Sequence, residues 1–482
     1  MTKHRNARGP LAWAAAAALI ASSQPGLAET DSGEARFREI YKELVETNTT
    51  LSAGDCTLAA QRMAARLTAA GIPDSDLHPF SVPEHPKEGG VVAVYPGRNP
   101  KLKAILLLAH IDVVEAKREE WTRDPFKLVE ENGLFYARGA IDDKAEAAIW
   151  VDTLSRYRTE NFHPKRTLKL ALTCGEESGS AAFNGAHWLT QNRRELIDAA
   201  FAINEGAAGE LDERGSRVAL EIQDGEKTYQ DYRLEVNNKG GHSSRPVKDN
   251  AIYRLAAALQ RIEGYEFPAQ FSDGNRAYFA ALAKIEAAKG ESEVANAMTA
   301  LVRDPSDIAD IALVSARDST WNATLRTTCV ATMLQAGHAP NALPQRAWAN
   351  VNCRIFPGVS QERVKEQLVT LIADSQVSLT ALNPEASNPE PPPLTAAILD
   401  PVTKVAGQMW PGVPIVPILQ PGATDGRFLT AAGIPTYGIE PLFVGADLGN
   451  IHGLNEYVSV KSLMECRDFL YRLVKIYAES ER

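Results

Sequence analysis

An α/β architecture with a mainly parallel sheet, interrupted by a smaller inserted α/β sandwich, follows from three observations. Short continuous apolar runs at 104–109, 167–173 and 199–204 have the pattern of strands buried on both faces. Segments with helical spacing at 32–45, 56–70, 144–158 and 181–191 lie around and between them. Strands that alternate with helices make a mainly parallel sheet. Past residue 226 the pattern changes: an alternating run at 228–238, a helical stretch at 250–262, alternating runs at 327–335 and 345–354, a helical stretch at 360–374 and a strand at 377–382. That β-α-β-β-α-β order is the two-layer, ferredoxin-like arrangement.

The charged stretch 266–322 carries no clear period and is expected to be irregular. The run Asn-Pro-Glu-Pro-Pro-Pro at 388–393 marks the return to the first domain. The expected organisation is a leader at 1–28, a catalytic domain split between 29–225 and 386–482, and an inserted domain at 226–385.

The length of 482 residues suits two such units. Hydrophobic residues make up 44% and charged residues 23%, the balance of a globular chain rather than a disordered or fibrous one. The formal net charge of −10 argues against a nucleic-acid surface, which needs a basic patch. Five cysteines are too few for a disulfide scaffold.

The first ten residues carry Lys3, Arg5 and Arg8 and no acid, an apolar run fills 11–21, and Gly26-Leu27-Ala28 puts small residues at the −3 and −1 positions of a cleavage point. This is the layout of a secretory signal peptide, too short in its apolar part to span a bilayer. An exported protein, periplasmic or secreted and free of the membrane after processing, is the expectation.

Polar clusters follow each of the three apolar strands: His110-Ile-Asp112, Gly175-Glu176-Glu177 and Glu205. Ligands of open α/β sheets bind beyond the carboxyl ends of the strands, so these segments are expected to converge. Two more segments join them, Arg138-Gly-Ala-Ile-Asp142-Asp143-Lys144 ahead of a helix and His452 in Asn-Ile-His-Gly-Leu-Asn-Glu-Tyr. So many acids at close range repel one another and need positive charge. His, Asp and Glu donors suit zinc, and two metals sharing one bridging carboxylate account for the inventory.

Taken in order, His110-x-Asp112, Arg138-Gly139-x-x-Asp142-Asp143-Lys144, Gly175-Glu176-Glu177, Glu205 and His452 resemble the motif series of one family of zinc hydrolases. It is the acetylornithine deacetylase, succinyl-diaminopimelate desuccinylase, aminoacylase, glutamate carboxypeptidase and carnosinase family, and the resemblance runs from about residue 35 to 478. It implies a zinc-hydrolase catalytic domain with a lid of the dimerisation type. His110 and Glu205 would complete one zinc, Glu177 and His452 the other, and Asp142 would bridge them, its bond to Asp143 resembling the family's cis peptide. Asp112 would orient His110 from behind. Glu176 would be the general base for a metal-bridging water. Cobalt or manganese could stand in place of the two zinc ions.

The resemblance extends to the insert. Gly240-Gly241-His242-Ser243-Ser244 matches a motif whose His reaches the substrate carbonyl, often in a partner subunit, where it would stabilise an oxyanion. Asn341 and Arg354 resemble substrate-holding positions, and Arg suits a terminal carboxylate because it binds bidentately. Gly422-Ala-Thr-Asp425-Gly-Arg427 resembles the family's glycine-rich substrate-end loop, with Arg427 either on substrate or paired to Asp425.

Cys329 and Cys353 lie on the two strands flanking Asn341, each twelve residues from it, so a hairpin would set them opposite each other for a disulfide. Cys174, just ahead of Glu176, is expected to be a buried core residue.

The reaction expected is hydrolysis of amide bonds in small substrates. Arg354, and Glu rather than Asp at position 205, which in the family goes more often with carboxypeptidases and deacylases, favour a free carboxylate beside the cleaved bond. The stretch Trp121-Thr-Arg-Asp-Pro-Phe126 resembles the longer carboxypeptidase, dipeptidase and aminoacylase members, and a carboxypeptidase-type exopeptidase acting on small peptides is the expectation. An N-acyl-amino-acid amidohydrolase or a dipeptidase is the alternative, and a non-catalytic binding protein on the same fold is disfavoured by the complete ligand set. A homodimer through the lid is a further expectation.

Overall fold

The computed structural model describes residues 26–178, 180–382 and 388–481. The leader expected at 1–28 lies almost wholly outside them. Among the described residues, ten strands form the central sheet. Its middle is parallel: Leu168–Thr173, Ile105–His110, Phe201–Asn204 and Thr436–Gly438 lie side by side in that order. The hairpin Leu77–Val82 and His85–Tyr95 adds antiparallel strands at one edge. Arg217–Glu226, with Gly209–Leu211, Phe443–Val444 and Ile415–Gln420, extends the other.

All six residues of Ile105–His110 are buried, as a strand covered on both faces requires. The helices Gly26–Val45, Cys56–Ala69, Lys144–Thr159 and Val460–Glu479 share one apolar core with the sheet, built around Phe37, Tyr41, Trp150, Tyr157 and Phe469. The short helices Gly185–Asn192 and Gly426–Ala431 cover the opposite face through Leu189 and Leu429.

The second sheet is fully antiparallel, in the order Thr328–Ala336, Arg346–Ile355, Thr228–Asn237, Val377–Ala381. The helices Ala251–Glu263 and Gln361–Ile372 pack on it through Leu255, Ile262, Val364 and Leu368. This is the ferredoxin-like order expected from the sequence. Cys329 stands opposite Cys353 in the register, and the two are bonded.

One expectation is overturned. The stretch 266–322 is not irregular: it forms the helices Asp273–Lys289, Ser292–Arg303, Ile308–Arg317 and Ser319–Leu325. Phe279, Met298 and Leu301 share a core with Val416 and Ile418, so this helical segment leaves the small sheet and docks on the edge of the central one. Its apolar residues are spread over short helices with separate caps, Ser272, Asp307 and Asp318, which hides a single long period. Cys174 is buried in the core, as expected, and is in addition bonded to Cys56 at the start of the second helix. Their separation of 118 residues leaves no local trace of that pairing.

Candidate metal centre

Strand register assembles the centre. His110 is the last residue of its strand and is paired with Thr173, so the loop Cys174–Glu177 leaves the sheet beside it. That loop turns sharply at Gly175, which has φ +90°, and a Cβ there would meet the Phe183 carbonyl oxygen at 2.3 Å. Only glycine fits. Glu205 follows the neighbouring strand Phe201–Asn204.

Asp142 lies in the turn before Lys144–Thr159, and its bond to Asp143 is cis. One buried acid holds that turn. Glu456 accepts the backbone N–H groups of Ile141 at 3.0 Å and Gly139 at 3.2 Å, and it pairs with the Arg138 guanidinium at 2.6 Å. The guanidinium also lies over the Trp121 ring. Glu456 sits four residues after His452, and no local pattern in the sequence marks its role.

Nε2 of His110 stands 3.0 Å from Asp142 Oδ1 and 3.6 Å from Glu205 Oε1. Nε2 of His452 stands 3.1 Å from Asp142 Oδ2 and 3.0 Å from Glu177 Oε2. Two donor groups result, His110–Asp142–Glu205 and Asp142–Glu177–His452, each with its ligand atoms within 4.8 Å of one another. Asp142 belongs to both and turns one oxygen to each imidazole. Mixed His and carboxylate donors sharing one bridging carboxylate fit a pair of divalent ions.

Asp112 backs both halves. His110 Nδ1 lies 3.1 Å from the Asp112 carbonyl oxygen and 3.5 Å from its carboxylate, while Asp112 Oδ2 accepts the backbone N–H of Glu177 at 3.0 Å.

Without a cation the acids crowd one another. Burial pushes the Glu176 and Glu205 carboxyls well above the usual range, and neighbouring carboxylates add to it. His452 is raised to about 10 by its bonds to Asp142 and Glu177. His110 is raised too, because Glu205, Asp112 and Asp142 outweigh its burial.

Of the other expected residues, Arg354 lies over the Tyr229 ring, and its guanidinium is lowered by burial and by Arg427, with Glu176 acting the other way. Arg354 therefore stands within electrostatic reach of Glu176, and Arg427 within reach of Arg354. Arg427 is not paired with Asp425. That acid accepts hydrogen bonds from Thr173 and Asn184, tying the 422–427 loop to the strand that leads to Glu176, while Arg427 stacks on Phe428 and acts on Glu226. Gly422 begins this loop beside Gln420.

His242 and Asn341 meet each other rather than the centre. Gly241–His242 pairs with Ala342–Leu343, Ser243 donates to the Asn341 carbonyl at 3.0 Å, and both side chains are exposed. Among the described residues neither is bonded to the catalytic acids.

A cavity of about 380 Å³ opens from Asp142 and Glu205. Ala207, Ile418, Leu442 and Val444 line its catalytic-domain wall, and Tyr278, Thr320 and Thr324 close it from the helical segment. Its size is that of a small-molecule site.

Residues 106–476 match the profile of peptidase family M20/M25/M40. The chain belongs to this family. It is an amide-bond metallo-hydrolase, as its M20 membership establishes. It is 30% identical over 387 residues to human "N-fatty-acyl-amino acid synthase/hydrolase PM20D1", covering 79% of this chain and 75% of that protein. Human "Aminoacylase-1" is 24% identical over 360 residues, 73% of this chain and 74% of that one. Among solved structures, the M20 metallo-carboxypeptidase Sso-CP2 of Sulfolobus solfataricus superposes with a TM-score of 0.69 at 19% identity, covering 92% of this chain and 99% of its own.

Proposed function

We propose that this M20 enzyme is a dinuclear zinc amidohydrolase that releases an amino acid from an apolar acyl group. The observation that carries this reading is the pairing of two unlike pockets around one centre. Arg354 offers positive charge toward Glu176, and Arg427 lies near Arg354 and lines a crevice shared with Glu205. The cavity, with an apolar wall of Ala207, Ile418, Leu442 and Val444, opens on the side of Glu205. A substrate with a free carboxylate at one end of its amide and a hydrocarbon chain at the other satisfies both. The similarity to the human N-fatty-acyl-amino acid enzyme supports the same substrate class. A carboxypeptidase acting on peptides with an apolar penultimate residue is the second reading. It uses the same two pockets and is supported by the 27% identity over 389 residues to "Probable carboxypeptidase S-like 2" of Dictyostelium discoideum.

His110, Asp142 and Glu205 would hold one ion, and Asp142, Glu177 and His452 the other; the pair supplies Lewis acidity and lowers the pKa of water. Glu176 takes a proton from the attacking water and delivers it to the leaving amine nitrogen. Arg354 and Arg427 hold the carboxylate and align the amide. His242 would stabilise the oxyanion when a closing lid, or the lid of a second copy, brings it to the carbonyl.

The edge strand Thr328–Ala336 presents Val330, Met333 and Leu334, each more than half exposed, and supports a homodimer through the lid. The disulfides Cys56–Cys174 and Cys329–Cys353 support export to an oxidising compartment. Among the described residues no helix is long and apolar enough to cross a membrane.

The deciding experiment is a substrate panel: one amino acid acylated with acetyl, octanoyl and oleoyl chains, each also with its carboxylate blocked as the amide, beside dipeptides. Longer chains should raise kcat/KM, and blocking the carboxylate should lower it at least tenfold. Equal turnover of acetyl and oleoyl substrates, or indifference to the block, would overturn the reading. Preference for peptides over acyl amino acids would select the carboxypeptidase.

A further inference from the structure

A second group of acids lies behind the centre. One oxygen each from Asp143, Glu146 and Glu440 fall within 4.8 Å of one another. Asp143 and Glu146 are 1% and 0% exposed, and Glu440 is 9% exposed. Asp143 directly precedes the helix Lys144–Thr159, Glu146 stands in its first turn, and Glu440 follows the strand Thr436–Gly438.

Crowded acids alone do not make a site; Glu146 supplies the reason to look further. It is wholly buried, and neither of its carboxylate oxygens has a hydrogen-bond partner. Asp143 Oδ1 and Glu440 Oε1 are likewise unpartnered, while Asp143 Oδ2 accepts the His110 N–H at 3.1 Å. Among the described residues, no lysine, arginine or histidine forms an ion pair with any of the three acids. A buried carboxylate without a donor or a counter-charge is destabilising. Oxygens at this spacing match the shell of a hard cation, in which ligands about 2.3–2.6 Å from the ion lie up to about 5 Å apart.

We propose that Asp143, Glu146 and Glu440 bind a third cation of the calcium class, separate from the dinuclear pair. The donor set is all oxygen, unlike the histidine-containing groups of the centre, and so selects a hard ion. Calcium suits a cage of protein carboxylates, whereas magnesium is held by one or two carboxylates and keeps most of its waters. The ion would join the start of the helix Lys144–Thr159 to the segment after Thr436–Gly438. Asp143 is the direct neighbour of Asp142, so the ion would steady the turn that carries the bridging carboxylate.

The test is elemental analysis of the full chain loaded with zinc and calcium and then freed of unbound metal by gel filtration. The wild type should retain about one calcium per chain beside its zinc. Glu146→Gln and Glu440→Gln should each lose that calcium and keep the wild-type zinc content. Calcium should raise the Tm of the wild type and leave that of both variants unchanged. If Glu146→Gln fails to fold, as judged by circular dichroism, Glu440→Gln carries the comparison. Absence of calcium from the wild type, the result expected of acids that share protons instead, would overturn the proposal. So would a third zinc in place of calcium, or calcium retained equally by the wild type and the variants.

Discussion

Asp112 accepts the backbone N–H of Glu177 at 3.0 Å and lies behind His110, so one carboxylate fixes donors to both halves of the centre. Removing it should loosen both. Asp112→Ala is expected to weaken metal affinity by about 10–100-fold, the usual effect of losing a ligand's supporting partner. Competition with a chromogenic chelator measures this, and affinity equal to the wild type would show that Asp112 supports neither donor.

Glu176 stands in the same loop but outside both donor groups. Glu176→Gln should therefore lower kcat by about 10²–10⁴-fold and leave the metal content as in the wild type. Turnover near the wild-type rate would remove the general-base role. Loss of metal would make Glu176 a ligand instead.

Glu456 is 1% exposed and holds Arg138 and the 139–141 backbone together. In Glu456→Gln the Arg138 charge stays buried without its partner. A loss of about 3–5 kcal/mol is expected, with a lower Tm in thermal unfolding. A change below about 1 kcal/mol would mean that water reaches the guanidinium.

Glu221 lines the cavity, and burial, with Glu210 adding, lifts its carboxyl to about 7. The unfolded carboxyl titrates near 4.3, so the folded chain holds this proton more tightly. The stability it contributes is full below the unfolded value and is lost as pH rises through about 7. Glu221→Gln, which cannot ionise, should be more stable than the wild type at pH 8 by about 1–3 kcal/mol and nearly equal to it at pH 4. Urea unfolding at the two pH values tests this, and an equal difference at both would rule out titration as the cause.

Among the described residues Cys466 is the one free cysteine, and it is buried. Of the five cysteines, the denatured and unreduced chain should expose one reactive thiol, rising to five after reduction. Three thiols before reduction would leave only one disulfide formed.

Most of the centre was legible in the chain because His110, Asp142 and Glu205 sit at a strand end or just ahead of a helix, where local pattern marks them, whereas His452 lies in a turn. The apolar runs located His110, Glu177 and Glu205, and the turn ahead of Lys144–Thr159 located Asp142. The Cys329–Cys353 pair was legible as well, because a hairpin converts equal spacing into opposition. Glu456, Asp425 and the acids behind the centre were harder to read. Their roles come from backbone N–H groups and side chains far along the chain, and no local period records such partners.

What the sequence by itself determined is the series of elements and the chemical kind of the site. Those depend on contacts a few residues apart: the alternation of apolar runs with helices, and the His, Asp and Glu that follow them. What only the tertiary structure decided depends on packing across the chain. It brought Glu177 to His452 across 275 residues and Cys56 to Cys174 across 118. It sent the helices of 273–325 back onto the central sheet through Phe279 and Met298. It also turned the Asp425 carboxylate toward Thr173 and Asn184 instead of Arg427. Apolar faces and buried polar groups take whichever partner the packed chain puts within reach, and that choice is made by the assembled layers rather than by neighbours in sequence.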